Sequence, residues 1–203
     1  MLDKTTLIAE ALTRSGALKF GNFKLKSGIT SPYYIDMTWL LSSPEDFKLV
    51  VNLVAEEIKA FSSSTRIDKL ASIELKGALL LPSIAGKLEM PCVVVRKESK
   101  AYGLTGRLAG GAVKKGERLV FFDDLVTSGG SKLEGIKPLE QAGGKIEAIL
   151  VVVDREQGGR ENLERVGYKV RALATITDLV RSLRTTGTLS EERADEILRY
   201  LKE

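Results

Sequence analysis

Short apolar runs alternate with longer amphipathic stretches from about residue 69 onward. Runs rich in Val, Ile and Phe predict β-strands at 70–73, 93–96, 118–122, 146–153 and 168–174. Helical spacing of the apolar residues between these runs predicts helices at 78–88, 131–141 and 160–166. Because the strands are apolar on both faces, we expect helices to cover both sides of the sheet. The pattern therefore predicts an α/β fold, a doubly wound and mainly parallel sheet with flanking helices.

The segments on either side of this core show other patterns. Before it we predict a helix at 3–15, an irregular stretch at 20–39 and a helix from Ser43 and Pro44 to about residue 60. After it we predict helices at 176–184 and 190–201. The expected organisation is a single domain over 1–203, with a small N-terminal hood in residues 1–40 and the core sheet at 69–175.

Composition and terminal pattern narrow the class of protein. The N-terminal segment interleaves acids and bases on an amphipathic helix, and no apolar run approaches the roughly 20 residues that cross a bilayer. We therefore expect a cytoplasmic protein without membrane association. The net charge of +4 is too small to indicate a nucleic-acid partner, and we expect none.

The chain contains no histidine and one cysteine. It cannot run a Ser-His-Asp or Cys-His mechanism, build a histidine zinc site or close an internal disulfide. Its chemistry must come from carboxylates, lysines, arginines, hydroxyls and backbone amides.

The most informative segment, 118–136, reads RLVFFDDLVTSGGSKLEGI. A buried strand delivers Asp123 and Asp124 into a polar, glycine-rich turn that opens a helix. Successive backbone N–H groups of such a turn, together with the positive end of the helix dipole, suit a phosphate. The two carboxylates suit sugar hydroxyls or a hydrated Mg²⁺. Two alternatives are a solvated turn and the acidic strand of a P-loop nucleotide hydrolase, but the G-x-x-x-x-G-K-[ST] motif of those hydrolases is absent from the chain.

FFDDLVTSGGS at 121–131 resembles the signature with which type I phosphoribosyltransferases bind 5-phosphoribosyl-1-pyrophosphate (PRPP). In that family the acids contact the ribose hydroxyls and the following loop holds the 5′-phosphate. The resemblance implies that Asp123 and Asp124 bind the ribose. It also implies a PRPP-binding role for the rest of the segment, namely Leu125, Val126, Thr127, Ser128, Gly129, Gly130 and Ser131.

The segment 18–36 contains KSG-x-x-SPYY, which resembles the hood of orotate phosphoribosyltransferases. The resemblance implies that Lys26 reaches the bound substrates and that Tyr34 lies against the pyrimidine ring. The alternative is that Tyr33 and Tyr34 only pack the hood.

The segment VRKESKAYG at 95–103 is basic and runs into a glycine-laced stretch that ends at residue 111. By itself it is typical of a solvated loop without rigid structure. It resembles the mobile catalytic loop of the family, R-K-x-x-K-x-H-G, so Arg96, Lys97 and Lys100 would hold pyrophosphate. Tyr102 stands where the family usually has histidine, and its hydroxyl could still donate a hydrogen bond. Family members share this loop, 96–111 here, across a homodimer interface.

Two further matches complete the resemblance. VVVDREQGG at 151–159 resembles the D-R-x-x-x-G of orotate enzymes, which implies that Arg155 and Thr127 contact orotate. Without the resemblance, a surface pair of Asp154 with Arg155 would be the default interpretation. Lys76, in SIELKGALL, matches the family loop that receives pyrophosphate.

The resemblance implies transfer of a phosphoribosyl group from PRPP to orotate in pyrimidine biosynthesis. The implied catalytic residues are Lys100, Lys26, Asp123 and Asp124. The implied cofactor is Mg²⁺, carried by PRPP without direct protein ligands and contacted by Asp123 or Asp124 through water. The alternatives are a purine phosphoribosyltransferase and a PRPP-sensing regulator that binds nucleic acid.

Overall fold

The computed structural model describes residues 3–24, 28, 30–100 and 106–202, with the backbone alone at residues 99 and 100. The chain divides into two compact units, one built from residues up to 50 and from 174 onward, the other from residues 51–173. Among the described residues, no helix combines the length and the apolar character needed to cross a bilayer. The single domain expected over 1–203 stays a prediction.

In chain order the elements are α1 (Lys4–Arg14), β1 (Leu18–Lys24), β2 (Thr30–Ile35), a 3-10 helix (Met37–Ser42), α2 (Pro44–Ser62), β3 (Lys69–Ile73), α3 (Lys76–Leu88), β4 (Cys92–Lys100), β5 (Gly106–Ala109), β6 (Arg118–Val126), α4 (Gly130–Gln141), β7 (Lys145–Asp154), α5 (Gly159–Arg165), β8 (Val170–Thr175), α6 (Ile176–Thr185) and α7 (Glu191–Tyr200). The core strands β3, β4, β6, β7 and β8 and the α-helices lie close to the positions that the apolar pattern predicts, whereas β1, β2 and β5 were not predicted.

The sheet confirms the predicted α/β class. Over the described residues it has six strands in the order β5-β4-β3-β6-β7-β8. Strand β3 pairs in parallel with β4 and β6, and β6 pairs in parallel with β7. The chain lays β4 on one side of β3 and later returns to lay β6 on the other side. The topological switch point, where open α/β sheets bind ligands, therefore lies between β3 and β6.

Strand β6 is the centre of the core. Every residue of it after Arg118 is buried, and the rings of Phe121 and Phe122 are both fully buried on opposite faces of the sheet. Helix α4 packs closely on this strand because Gly135 has no side chain: a Cβ there would stand 2.7 Å from Cζ of Phe121. Strand β6, which carries Asp123 and Asp124, and helix α4 after it are therefore both held by packing in the core.

The irregular stretch predicted at 20–39 is wrong. Strands β1 and β2 form an antiparallel hairpin in which Phe20 pairs with Tyr33 and Lys24 pairs with Thr30. Pro32 made the segment look unlike a strand, since proline cannot donate a ladder hydrogen bond. The register shifts between Phe20 and Phe23, and Pro32 falls opposite this irregularity, where its missing N–H is tolerated.

The unstructured loop predicted at 96–111 is also partly wrong. Strand β4 continues to Lys100, and β5 pairs with it antiparallel, with Val95 opposite Leu108. The glycines of this stretch suggested a flexible loop. An edge strand needs a partner on one side only, and the partly buried Leu108 packs against the core and gives β5 an apolar anchor.

Candidate active site

The parallel strands bring most of the predicted site residues to one edge of the sheet. Residues 74–77 follow β3, and Arg96 and Lys97 lie on β4. Residues 123–126 end β6, residues 127–131 lead from it into α4, and Arg155 follows β7. The carboxyl ends of parallel strands share an edge, so these groups converge at and beside the switch point.

Residues 127–131 form a loop with the properties of a phosphate cradle. Gly129, at φ 88°, adopts a left-handed conformation that favours glycine and turns the chain into α4. Among the described residues, no side chain caps the N-terminus of α4, so its first amides remain available to a ligand. Ser128 and Ser131 are exposed beside them. Amides, hydroxyls and the helix dipole together favour an anion here.

Neighbouring elements hold the cradle in shape. The N–H of Arg155 donates to the carbonyl of Val126 at 3.0 Å, and Nδ2 of Asn162 donates to the carbonyl of Ser128 at 3.2 Å. Gly159 lies so close that a Cβ on it would stand 2.2 Å from the carbonyl oxygen of Thr127. The start of α5 therefore packs against the backbone of the cradle, and only glycine at position 159 allows this close contact with Thr127.

We expect Gly159→Ala to disturb the cradle. The added methyl must push away the backbone of Thr127, which we expect to cost about 1–3 kcal/mol of stability and to raise the KM for PRPP. Chemical denaturation and initial-rate kinetics measure the two effects. Gly86→Ala is the matched control, because a Cβ there meets nothing within 4 Å and alanine favours the helix. Unchanged kinetics in a folded Gly159→Ala protein would contradict the cradle.

The two acids at the end of β6 have different surroundings. Both are buried, at 5% exposure for Asp123 and 6% for Asp124. Oδ1 of Asp123 accepts the N–H of Asp124 at 2.9 Å, and its Oδ2 lies 2.6 Å from Nζ of Lys132. Oδ2 of Asp124 is buried and has no hydrogen-bond partner within the described part of the chain. Both oxygens of Asp123 therefore have protein partners, whereas Oδ2 of Asp124 has none among the described residues.

The electrostatics separate the two acids further. Burial, reinforced by the charge of Asp123, raises the pKa of Asp124 to about 7, while Lys132 and Lys76 oppose the rise. Strongly shifted acids in a cleft are candidates for functional groups. Burial also raises the pKa of Asp154, at the end of the adjacent strand β7.

Lys132 is a site residue that the sequence interpretation missed. It is 4% exposed and lies in the first turn of α4. A signal was present in the pattern: together with Gly135, Ile136 and Leu139 it occupies the buried stripe of the helix, at the spacing i, i+3, i+4, i+7. A lysine on such a stripe needs a buried acid, and the preceding strand supplies Asp123.

Three cationic residues that were predicted to bind pyrophosphate lie within the described residues, namely Lys76, Arg96 and Lys97. Lys76 is half-buried and acts on the charge of Asp124. Nη1 of Arg96 donates to the carbonyl of Gly106 at 3.4 Å, and the N–H of Lys97 donates to Oε1 of Glu74 at 2.6 Å. The Lys97 contact ties β4 to the residues that follow β3.

Several predicted residues contribute little or lie outside the description. Leu125 and Val126 are buried, so a ligand can reach only their backbone. Lys26, Tyr102 and the side chain of Lys100 lie outside the described residues. Their roles stay predictions.

Tyr34 belongs to the other compact unit. It is 41% exposed, and its ring centroid lies 5.6 Å from that of Phe23 at an interplanar angle of 34°. Tyr33, in contrast, is fully buried and packs edge-on against Tyr200 at 6.2 Å. Of the two tyrosines, Tyr33 is a packing residue, whereas Tyr34 is partly exposed to solvent.

Comparisons with known proteins agree in sequence and in fold. The family model of the phosphoribosyl transferase domain matches residues 40–174. The orotate phosphoribosyltransferase of Pyrococcus abyssi is 36% identical over 172 residues, which cover 85% of this chain and 93% of the relative. The crystal structure of the orotate phosphoribosyltransferase from Aeropyrum pernix is 29% identical, with a TM-score of 0.74, and the match covers 90% of this chain and 99% of that one. The structure of Leishmania donovani UMP synthase is 30% identical, with a TM-score of 0.85; the match covers 98% of this chain, which spans 42% of that longer one.

Proposed function

The chain belongs to the orotate phosphoribosyltransferases, a group within the phosphoribosyl transferase family, and we propose that it joins orotate to the ribose of PRPP. The products are orotidine 5′-phosphate and pyrophosphate, so the protein is a pentosyltransferase of de novo pyrimidine biosynthesis. The observation that carries this function is the pairing of two buried carboxylates with an uncapped helix N-terminus at the switch point of the sheet. That pairing suits the ribose and the 5′-phosphate of one ligand.

We assign the 5′-phosphate of PRPP to the cradle of residues 127–131. The first amides of α4 and the hydroxyls of Ser128 and Ser131 donate to the phosphate oxygens. The ribose hydroxyls then donate to the acid pair, where Oδ2 of Asp124 accepts no hydrogen bond from the described part of the chain.

Pyrophosphate needs cations at the opposite end of the sugar. Lys76 begins α3, directly after β3, and Arg96 and Lys97 lie on β4. Because β3 and β4 both lie on the same side of β6, all three cations lie on one side of the acid pair. We propose that Lys100 and Tyr102, in the segment 96–111, also contact the pyrophosphate. Positive charge there stabilises the departing pyrophosphate.

We assign orotate to Arg155, Tyr34, Lys26 and Thr127. The guanidinium of Arg155 is planar and always charged, so it pairs well with a carboxylate and carbonyl edge. The carbonyl of Val126 accepts the backbone N–H of Arg155 at 3.0 Å, which fixes this residue beside the phosphate cradle. The exposed ring of Tyr34 suits stacking against a flat pyrimidine.

The acid pair also fits Mg²⁺ carried by PRPP. Magnesium keeps several of its waters and binds through one or two carboxylates together with substrate phosphates. Oδ2 of Asp124 is an oxygen acceptor of the required kind, and Asp123 lies next to it. When bound, Mg²⁺ neutralises charge on the pyrophosphate.

The reaction needs no nucleophilic side chain. The bond from the anomeric carbon to pyrophosphate breaks, and a ring nitrogen of orotate forms the new bond to that carbon. The proton of that nitrogen leaves to the departing pyrophosphate or to water. The transition state resembles an oxocarbenium ion, so the protein contributes position and charge. Asp123 and Asp124 hold the ribose hydroxyls, and the cradle fixes the 5′ end. We propose that the segment 96–111 covers the site during the reaction and excludes water, which would otherwise hydrolyse PRPP.

Two expectations extend the proposal beyond the single chain. We propose a homodimer in which the segment 96–111 is shared across the interface. We also propose that the protein works in the cytoplasm, where the other steps of pyrimidine synthesis would supply orotate.

The proposed function is tested by mixing the protein with orotate, PRPP and Mg²⁺ and following the absorbance of orotate. We expect the absorbance to fall only when both PRPP and Mg²⁺ are present. Parallel reactions with adenine, hypoxanthine, guanine and xanthine, read by pyrophosphate release, serve as controls. Release with a purine and none with orotate would establish a purine phosphoribosyltransferase instead. No turnover together with salt-sensitive retention of RNA or DNA in a gel would establish the regulator.

A further inference from the structure

Lys132 is a buried cation in an unfavourable place. It lies at the third residue of α4, where the helix dipole is positive and repels a positive charge. Its residue is 4% exposed, and removing an ammonium group from water is costly unless an anion compensates. A charged lysine is stable at such a position only if an anionic side chain pairs with it.

That partner is Asp123. Nζ of Lys132 lies 2.6 Å from Oδ2 of Asp123, and the two side chains are 6% and 8% exposed. The same Nζ donates to Oγ of Ser131 at 3.3 Å. Lys132 therefore links the acid pair to the last residue of the phosphate cradle.

The remaining contacts fix the orientation of the Asp123 carboxylate. Its Oδ1 accepts the N–H of Asp124 at 2.9 Å. Gly77 closes the other side, where a Cβ would stand 2.5 Å from Oδ1. The carboxylate can turn only if Lys132 releases it.

We propose that Lys132 is a positioning residue that locks Asp123 and thereby holds the acid pair and the phosphate cradle in the arrangement that receives PRPP. This inference rests on the proposed function and adds a residue beyond the segment 121–131 that the family signature covers. Lys132 contacts Asp123, so we expect it to preorganise the site and not to act in the chemical step. Its loss should weaken PRPP binding and leave turnover nearly unchanged.

A direct contact of Lys132 with the phosphate would have a different signature. If Lys132 acts through Asp123, its removal should matter little once Asp123 has lost its charge. If it binds phosphate directly, its removal should cost the same with or without the Asp123 charge. A double-mutant cycle separates the two roles.

The experiment compares Lys132→Met, Asp123→Asn and the double variant with the wild type. We expect Lys132→Met to raise the KM for PRPP about tenfold or more, since a hydrogen bond to a charged group is lost, with kcat and the KM for orotate within about threefold. The double variant should bind PRPP no more weakly than Asp123→Asn alone. Lys137→Met, on the exposed face of the same helix, is the matched control and should behave as wild type.

Each outcome decides the inference. An unchanged KM for PRPP in a folded Lys132→Met protein overturns it, as does a fall in kcat alone or an additive double variant. If Lys132→Met does not fold, the double variant carries the test, because Asn leaves no buried charge and the comparison with Asp123→Asn still holds. A wild-type protein that does not consume orotate refutes the proposed function, whereas an active wild type with an unaffected Lys132→Met variant refutes only the role of Lys132.

Discussion

Replacing both acids, as Asp123→Asn with Asp124→Asn, should remove measurable PRPP binding in calorimetry with Mg²⁺ present. Each carboxylate accepts hydroxyl hydrogen bonds as a charged group, and losing such a bond costs about 1.5–3 kcal/mol. Two losses lower the affinity by roughly a hundredfold to ten-thousandfold. Asparagine keeps the shape of the side chain, so the loss reflects charge and acceptor capacity and not a cavity.

Two controls make this result specific. The double variant leaves Lys132 buried without its partner, so Asp124→Asn alone, which preserves that ion pair, should be measured beside it. Asp154→Asn removes another buried acid at the same edge, and the amide oxygen still accepts the N–H of Glu156. We expect Asp154→Asn to bind PRPP nearly as wild type does. A folded double variant that binds PRPP with wild-type affinity would end the assignment of the acids.

The core and its acidic edge could be predicted because they depend on local patterns. The continuous apolar run of β6 predicts a strand covered on both faces, and the turn with Gly129 and Gly130 predicts the start of α4. Once parallel strands are expected, the position of Asp123 and Asp124 at the carboxyl edge follows from topology. Each of these steps uses neighbours in the sequence or one general rule.

The parts that were missed depend on pairing across the chain. Strand β5 is short and glycine-flanked, and only its register with β4 makes it a strand. The hairpin of β1 and β2 tolerates Pro32 because of an irregularity in the partner strand, which no local propensity predicts. Close contacts made by glycine, such as that of Gly77 with Asp123, are invisible until both backbones are placed.

Lys132 shows how a local signal can be overlooked beside a stronger one. The acidic strand before it suggested comparisons with phosphoribosyltransferases and with P-loop hydrolases, and neither comparison gave Lys132 a role. The apolar stripe of α4 gave the better indication, since it places Lys132 on the face that packs on the core. In the structure the lysine meets Asp123 instead of solvent, which makes it part of the scaffold beneath the site.

The specificity constant kcat/KM for PRPP should fall as the pH is lowered below 7. Burial first, and the charge of Asp123 second, raise the pKa of Asp124 to about 7 in the unliganded protein. Protonation removes the charged acceptor, and kcat/KM reports groups of the free enzyme. We therefore expect kcat/KM for PRPP to fall about fivefold from pH 7 to pH 6 and about fiftyfold from pH 7 to pH 5. Because phosphate groups titrate near pH 6, the informative quantity is the ratio of wild type to Asp124→Asn, which should shrink toward acid pH.

Stability of the unliganded protein should change in the opposite direction. The pKa of Asp124 is higher in the folded state, about 7, than the unfolded value of about 3.9, so the folded state binds more protons between these values. The contribution of this group to stability is therefore greatest at low pH and is lost as pH rises through 7. Thermal melting from pH 5 to pH 8 should show wild type losing stability relative to Asp124→Asn, while PRPP binding strengthens. Both predictions depend on one event, the protonation of the buried Asp124 carboxylate, whose Oδ2 has no hydrogen-bond partner among the described residues. Stability and PRPP binding that rise together, or fall together, with pH would contradict it.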